Sequence, residues 1–233
     1  MTARSSKRTS AGRPVAKRVA KRSAKTPELS HEAIRTAALH LIDDEGLAEF
    51  STRKLGRLLG CEAMAIYWYY PSKDVLLDAV VDKLMTGVTD AFARRQTGDW
   101  IDALREVAHA YRRLAHDHPK AFPLLATRRF ESEGTYAFME RLFTLARERG
   151  IDDRVTARFY RVVSSYCNGF ALNELASVRG PHDPRGAALR RQFPTVAAVS
   201  EWLEPEYLDE LFTFGLELHL AALAKATHAE RRT

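Results

Sequence analysis

Residues Ser51–Lys73 read STRKLGRLLGCEAMAIYWYYPSK. Two short apolar runs, Leu55/Leu58/Leu59 and Ala63/Ile66/Tyr67, flank Gly60. That is the pattern of a helix, a tight turn and a second helix. A helix-turn-helix joins its helices by a short turn that often contains Gly, and its second helix enters the DNA major groove. Ser51 suits the N-cap of a helix from Thr52 to Leu59, with Leu55, Leu58 and Leu59 turned inward and Arg53, Lys54 and Arg57 outward. The second helix covers roughly Glu62 to Tyr69. It stops before Pro71, because the residue preceding a proline is pushed out of the helical region.

The flanking sequence supports this unit. Ser30 and Glu32 open a helix from His31 to Glu45, with Leu29 and Ile34 placed as a hydrophobic staple. Ile34, Ala37, Ala38, Leu41 and Ile42 give it one apolar stripe, and Gly46 ends it. Ser72 caps a fourth helix that runs to about Arg95, with a seam of Leu76, Ala79, Val80, Leu84 and Val88. Helical patterns continue through residues 100–117, 119–126, 133–149 and 153–178. Gly180, Pro181 and Pro184 begin a polar loop rich in Arg, and a last helix spans about 205–227. No stretch alternates with period two, so the expected fold is all-α: a three-helix DNA-binding head followed by a larger helical body for ligand binding and dimerisation. The expected divisions are a disordered basic arm over 1–27, the head over 28–73 and the body over 74–233.

Charge is unevenly distributed. The chain carries a net +6, yet residues 1–27 hold nine Lys and Arg and no acid, which leaves −3 for the remainder. A like-charged block of this composition does not bury enough apolar surface to order itself, and basic arms of this kind hold nucleic acid through phosphates. Between 51 and 73, Arg53, Lys54, Arg57 and Lys73 face a single acid, Glu62. Asp43, Asp44, Glu45, Glu49, Asp74, Asp78 and Asp82 flank the head, a separation of charge that orients it on DNA. Cys61 and Cys167 are far apart, so no disulfide framework is expected, and Cys61 is expected to be buried. Without a membrane span or a secretory signal, the expected location is the cytoplasm.

Enzyme signatures are weak. Glu106 and His109 have the spacing of a bundle metal motif, but a di-metal site needs two such motifs and further acids, and the sequence has one. No nucleophile elbow, P-loop or dinucleotide fingerprint is present. No enzyme activity, cofactor or metal is expected.

At residues 51–84 the sequence STRKLGRLLGCEAMAIYWYYPSKDVLLDAVVDKL resembles the tetracycline-repressor (TetR) family of bacterial regulators, most specifically in the run IYWYYPSKDVLLDAV. The resemblance covers about residues 29–90. It is looser beyond, where YRVVSSYCNGFALNELA and FTFGLELHLAALA look like the family's two dimer-forming helices. The resemblance implies phosphate contacts from Thr52, Tyr67 and Lys73, a phosphate or guanine contact from Arg53, and a further basic contact from Lys54. It places Ala63, Met64 and Ala65 at base edges, with Trp68 and Tyr69 near the backbone or a thymine methyl. For Tyr67 and Trp68 the competing reading is core packing, and Arg57 reads as a solvated charge. Glu62 departs from the family's small polar cap. The tip Ala63-Met64-Ala65 has no hydrogen-bonding side chain, which shifts weight to apolar contacts and DNA shape.

The helices at about 153–178 and 205–227 are apolar around most of their circumference, which calls for a core on one side and a second subunit on the other. Gly169 and Gly215 are expected to permit close helix approach. A homodimer through these helices implies a roughly palindromic operator. Tyr111, Phe122, Phe138, Met139, Phe159, Tyr166 and Asn168 are the candidate lining of a cavity for an unidentified small-molecule effector, with plain core packing as the alternative for each. Asn168 stands out because a buried amide requires a partner. The expected function is a ligand-responsive dimeric repressor of transcription. The alternative is a small helical ligand carrier or enzyme with a non-reading head.

Overall fold

Ser30 opens the first helix by accepting a hydrogen bond from the Ala33 amide at 3.1 Å. Helix α1 then runs His31–Glu45 and ends at Gly46, whose φ of 93° is one that side chains resist. The computed structural model describes residues 29–93, 99–128, 132–178, 186, 189 and 191–230. The expected basic arm at 1–27 and the start of the Arg-rich loop at Gly180, Pro181 and Pro184 lie outside the described residues.

Among the described residues there are ten α-helices and no strand. After α1 come α2 (Thr52–Leu59), α3 (Ala63–Tyr69), α4 (Lys73–Ala93), α5 (Trp100–Asp117) and α6 (Pro123–Thr127). Then follow α7 (Glu133–Glu148), α8 (Asp153–Val178), α9 (Pro194–Ser200) and α10 (Leu208–Glu230). Side-chain caps fix several starts: Ser51 accepts from the Lys54 amide, Asp99 from Ile101 and Ser132 from Thr135. Several boundaries differ from expectation, among them the last helix, which begins at Leu208 after a 3-10 turn over Pro205–Tyr207. Residues 119–122 form turns, so α6 begins only at Pro123. Helix α9 and the 3-10 turn Glu201–Leu203 stand in a region expected to be loop. Pro194 at the first helical position is the cue for α9, since it gives up an amide that would be unpaired there.

The core has two parts. The first joins Ile34, Ile42, Leu55 and Ile66 of the head to Leu76 and Val80 of α4, and continues into Leu114, Phe122 and Leu125. The second joins Phe92, Trp100 and Leu104 to Leu142 of α7, Val163 and Cys167 of α8, and Phe212 and Leu216 of α10. The apolar interior therefore passes through α4 from head to body without a break. Polar contacts reinforce that junction. His118 meets the Asp43 carboxylate at 2.6 Å, and Arg128 binds Asp74 and Asp78 at the start of α4. Glu32 on α1 pairs with Lys83 on α4 and with Arg35. The Lys83 and Arg35 contacts hold the Glu32 carboxyl down at about 2.

Candidate nucleic-acid interface and effector site

Helices α2 and α3 pack closely because of a glycine. A Cβ on Gly56 would lie 2.7 Å from the Cys61 carbonyl oxygen and 3.3 Å from the Ala63 nitrogen. The Cys61 amide donates to the Gly56 carbonyl at 2.9 Å, and Gly60 makes the turn at φ 70°. The sequence carries a signal for Gly56: a glycine inside a helix costs about 1 kcal/mol relative to alanine, which points to a packing role. The same geometry corrects one expectation. Leu58 is 60% exposed. At about 100° per residue, Leu55, Leu59 and Gly56 share one arc and Leu58 falls roughly 60° outside it. Cys61 is half-buried rather than buried.

The expected DNA-contact residues divide into two groups. Several are open. Met64 is 69% exposed and Trp68 88% exposed, on one face of α3 at i and i+4. Arg53 is exposed, and Ala63 and Ala65 are half-buried beside Met64. Thr52 and Tyr67 bring their hydroxyls to 3.3 Å of each other across α2 and α3. The others have partners within the head. Lys54 pairs with Glu45 at 2.6 Å and Glu49 at 3.2 Å, and the Glu45 contact above all raises its pKa. Lys73 donates to the Phe50 carbonyl at 3.1 Å, with its ammonium over the Phe50 ring. Tyr69 donates to the Leu29 carbonyl at 2.8 Å and sets its ring edge against His31. Tyr70, whose role no local pattern announces, is buried and donates to the His31 carbonyl at 2.9 Å. These two tyrosines pin the end of α3 to the start of α1. Glu62 makes no capping hydrogen bond to α3.

In the body, three of the seven candidate lining residues come together. The Tyr111 hydroxyl donates to the Asn168 side-chain oxygen at 3.1 Å, and the Tyr111 ring meets Phe122 edge-on at 5.3 Å. Burial pushes the Tyr111 phenol well above its ordinary value, so it stays a donor. Tyr111 packs against both core parts, so this trio lies where they meet. The other four lie in or against the second part. Phe138 is buried on Phe92, and Met139 and Phe159 are partly buried. Tyr166 stacks on Phe212 and donates to its carbonyl at 2.9 Å.

Residues that sequence reasoning did not find include a buried ion pair. Arg112 and Glu174 are 8% and 4% exposed and bond in a fork at 2.8 and 2.6 Å. Arg112 also reaches Asp209 and lies over the Phe212 ring. The partners are 62 residues apart, so no local spacing announces them. Gly215 serves this packing too. A Cβ there would fall 2.3 Å from the Tyr166 hydroxyl, so its close approach is within the subunit, while Gly169 is exposed with open space at its Cβ position. Among the described residues no helix is long and apolar enough to cross a membrane.

Two family models match this chain. Residues 34–80 match "Bacterial regulatory proteins, tetR family", and residues 93–227 match "Tetracyclin repressor-like, C-terminal domain". An HTH-type transcriptional regulator of Saccharopolyspora erythraea is 30% identical over 171 residues, which is 72% of each protein. The crystal structure of a possible TetR family transcriptional regulator from Streptomyces coelicolor A3(2) aligns with a TM-score of 0.74 at 27% identity, over 84% of this chain and all 100% of that one. The Streptomyces coelicolor TetR family protein ActR in complex with actinorhodin aligns with a TM-score of 0.70 at 24% identity, over 86% of this chain and 99% of that one, and shares the fold.

Proposed function

The chain belongs to the tetR family of bacterial regulatory proteins, and from that premise we propose that it binds a two-fold operator as a homodimer and leaves it when a small molecule enters the body. It is a ligand-responsive DNA-binding repressor. The observation that carries the reading of the head is the pair of hydroxyls of Thr52 and Tyr67, 3.3 Å apart beside exposed Arg53 and Trp68. Two converging hydroxyls next to a cation suit a phosphate oxygen, and the exposed apolar tip of α3 suits thymine methyls and groove shape.

The body reading rests on the Tyr111–Asn168–Phe122 trio, a polar pair and an aromatic wall where the two core parts meet. A polar pair beside an aromatic wall supplies the kind of orienting groups that a small-molecule site uses. That ActR is solved with actinorhodin supports an effector of that kind of size for this fold. An effector releases DNA only if it binds the non-binding arrangement more tightly. The carrier or enzyme alternative gains no support from the relatives.

The test is binding of the full-length protein to the DNA flanking its own gene, by fluorescence anisotropy at fixed salt. Tyr67→Phe removes one hydroxyl and keeps the ring, and is expected to weaken binding about tenfold, about 1.4 kcal/mol. Wild-type affinity in Tyr67→Phe would take the hydroxyl pair out of the interface.

A further inference from the structure

On the outer side of α5, away from the Tyr111–Asn168 pair, lies a cleft of about 400 Å³ lined by Ala91, Arg105, Glu106, His109 and Arg113. Its size falls within the roughly 300–1,000 Å³ typical of small-molecule sites. Arg105, His109 and Arg113 stand at steps of four on one helix, so they form a row along one face. Ala91 on α4 supplies only a methyl group, and that leaves the space open.

The members of the row differ in what already holds them. Arg105 is fixed by Asp102 and by Glu217 of α10. Arg113 is exposed and has no carboxylate partner among the described residues. Glu106 is the acid on this wall and takes part in an interaction of its own. His109 sets its ring against Phe212 at 5.4 Å and has no hydrogen-bond partner among the described residues. Burial, then the charges of Arg113 and Arg112, lower its pKa, with Arg105 acting in the same sense and Glu217 against it. Arg105 and Arg112 are each balanced by two carboxylates, so Arg113 is the cation beside the imidazole without a carboxylate partner among the described residues, a charge that repels a proton and attracts an anion.

We propose that this cleft binds a small organic carboxylate, with Arg113 as its charge partner and His109 as a hydrogen-bonding side chain. A guanidinium matches a carboxylate through two parallel N–H donors, and its flat face accepts an aromatic ring. The inference does not rest on operator release. Direct binding reads it, so its failure leaves the proposed function untouched.

The probe is 2-naphthoate, with the uncharged 2-naphthamide as its control, titrated into the full-length protein by calorimetry. The histidine ring resonances are followed in parallel, with His109→Gln identifying its own signal. Saturable naphthoate binding is expected, with a shift of the His109 resonance and at least tenfold weaker binding of the amide. Arg113→Gln is expected to weaken naphthoate at least tenfold. Ala91→Leu is expected to block it by filling the cleft with the charges left in place. Arg113 is exposed, so its variant is expected to keep the unliganded melting temperature. No saturable binding, equal binding of amide and carboxylate, or full affinity in Arg113→Gln would each overturn the proposal.

Discussion

Trp68 and Tyr69 are adjacent aromatic residues with opposite surroundings. The indole of Trp68 has almost nothing of its own head around it, while the Tyr69 hydroxyl is bound to the Leu29 carbonyl. Trp68→Ala is therefore expected to leave stability within about 0.5 kcal/mol of the parent and to weaken DNA binding. Tyr69→Phe is expected to lose about 0.5–1.5 kcal/mol of stability, the net worth of one hydrogen bond. Urea unfolding and operator titration of the two variants separate these outcomes, and the reverse pattern would exchange their roles. Gly56 gives a second residue-level prediction. Alanine favours a helix, but here its methyl meets the Cys61 carbonyl at 2.7 Å. Gly56→Ala is expected to be destabilising by about 1–3 kcal/mol in urea despite the propensity gain, since overpacking outweighs it. The open position of Met64 was legible in the sequence, because nothing inside the head competes for it, whereas for Trp68 the sequence left core packing as an alternative that its exposure removes. Lys54, Lys73 and Tyr69 looked equally open, and their partners at Glu45, Phe50 and Leu29 depend on how α1 lies across α2 and α3.

Helix bounds were legible wherever a cap announced them. The expected limits of α1, α2 and α5 coincide with those observed, because Ser30, Gly46, Ser51 and Asp99 act within a turn of their own positions. What each helix buries was less legible, since that depends on residues far along the chain. Arg112 on α5 carries no local signal of its role, yet Glu174 on α8 and Asp209 at the start of α10 both hold it. Removing one member of a buried pair strands the other, at about 3–5 kcal/mol, whereas replacing both with apolar residues is often close to neutral. Arg112→Met alone is accordingly expected to cost that much in urea, and Arg112→Met/Glu174→Leu distinctly less. Additive losses would show that the two do not act as a unit. The pair also has a pH signature. Burial pushes the Glu174 carboxyl up, but the Arg112 hydrogen bonds and the Arg112 and His116 charges pull it further down, to a value below its ordinary 4.5. The unfolded chain then takes up this proton first as the medium is acidified. The contribution is present above about pH 4.5 and lost as pH falls through the lower folded value. Glu174→Gln is expected to flatten the acid limb of the stability curve.

At the scale of the whole molecule, the surface of α10 bears on assembly. Phe212, Leu216, Leu220 and Leu223 are buried in the subunit, while Phe214 and Leu218 are 64% and 57% exposed on a different side of the same helix. Val162 is exposed on α8 beside it, and Gly169 adds a stretch without a side chain. The sequence revealed that these two helices have more apolar surface than one core absorbs. It did not separate the inward glycine, Gly215, from the outward one, because that depends on which side chain, Tyr166, crosses to α10. A face of this kind, left open in one subunit, is where we propose that the homodimer closes. Leu218→Glu tests it cleanly. In a lone subunit the residue already meets water, so the change is expected to leave helical content unaltered and to cost the subunit's own fold little. In the proposed dimer it would bury one charge from each subunit in apolar surroundings with no partner. Sedimentation is expected to show a monomer at micromolar concentration. Operator binding is expected to fall far more than for any single head substitution, because each head then binds its half-site alone rather than as one of a linked pair. A Leu218→Glu protein that still sediments as a dimer would move the interface off α10.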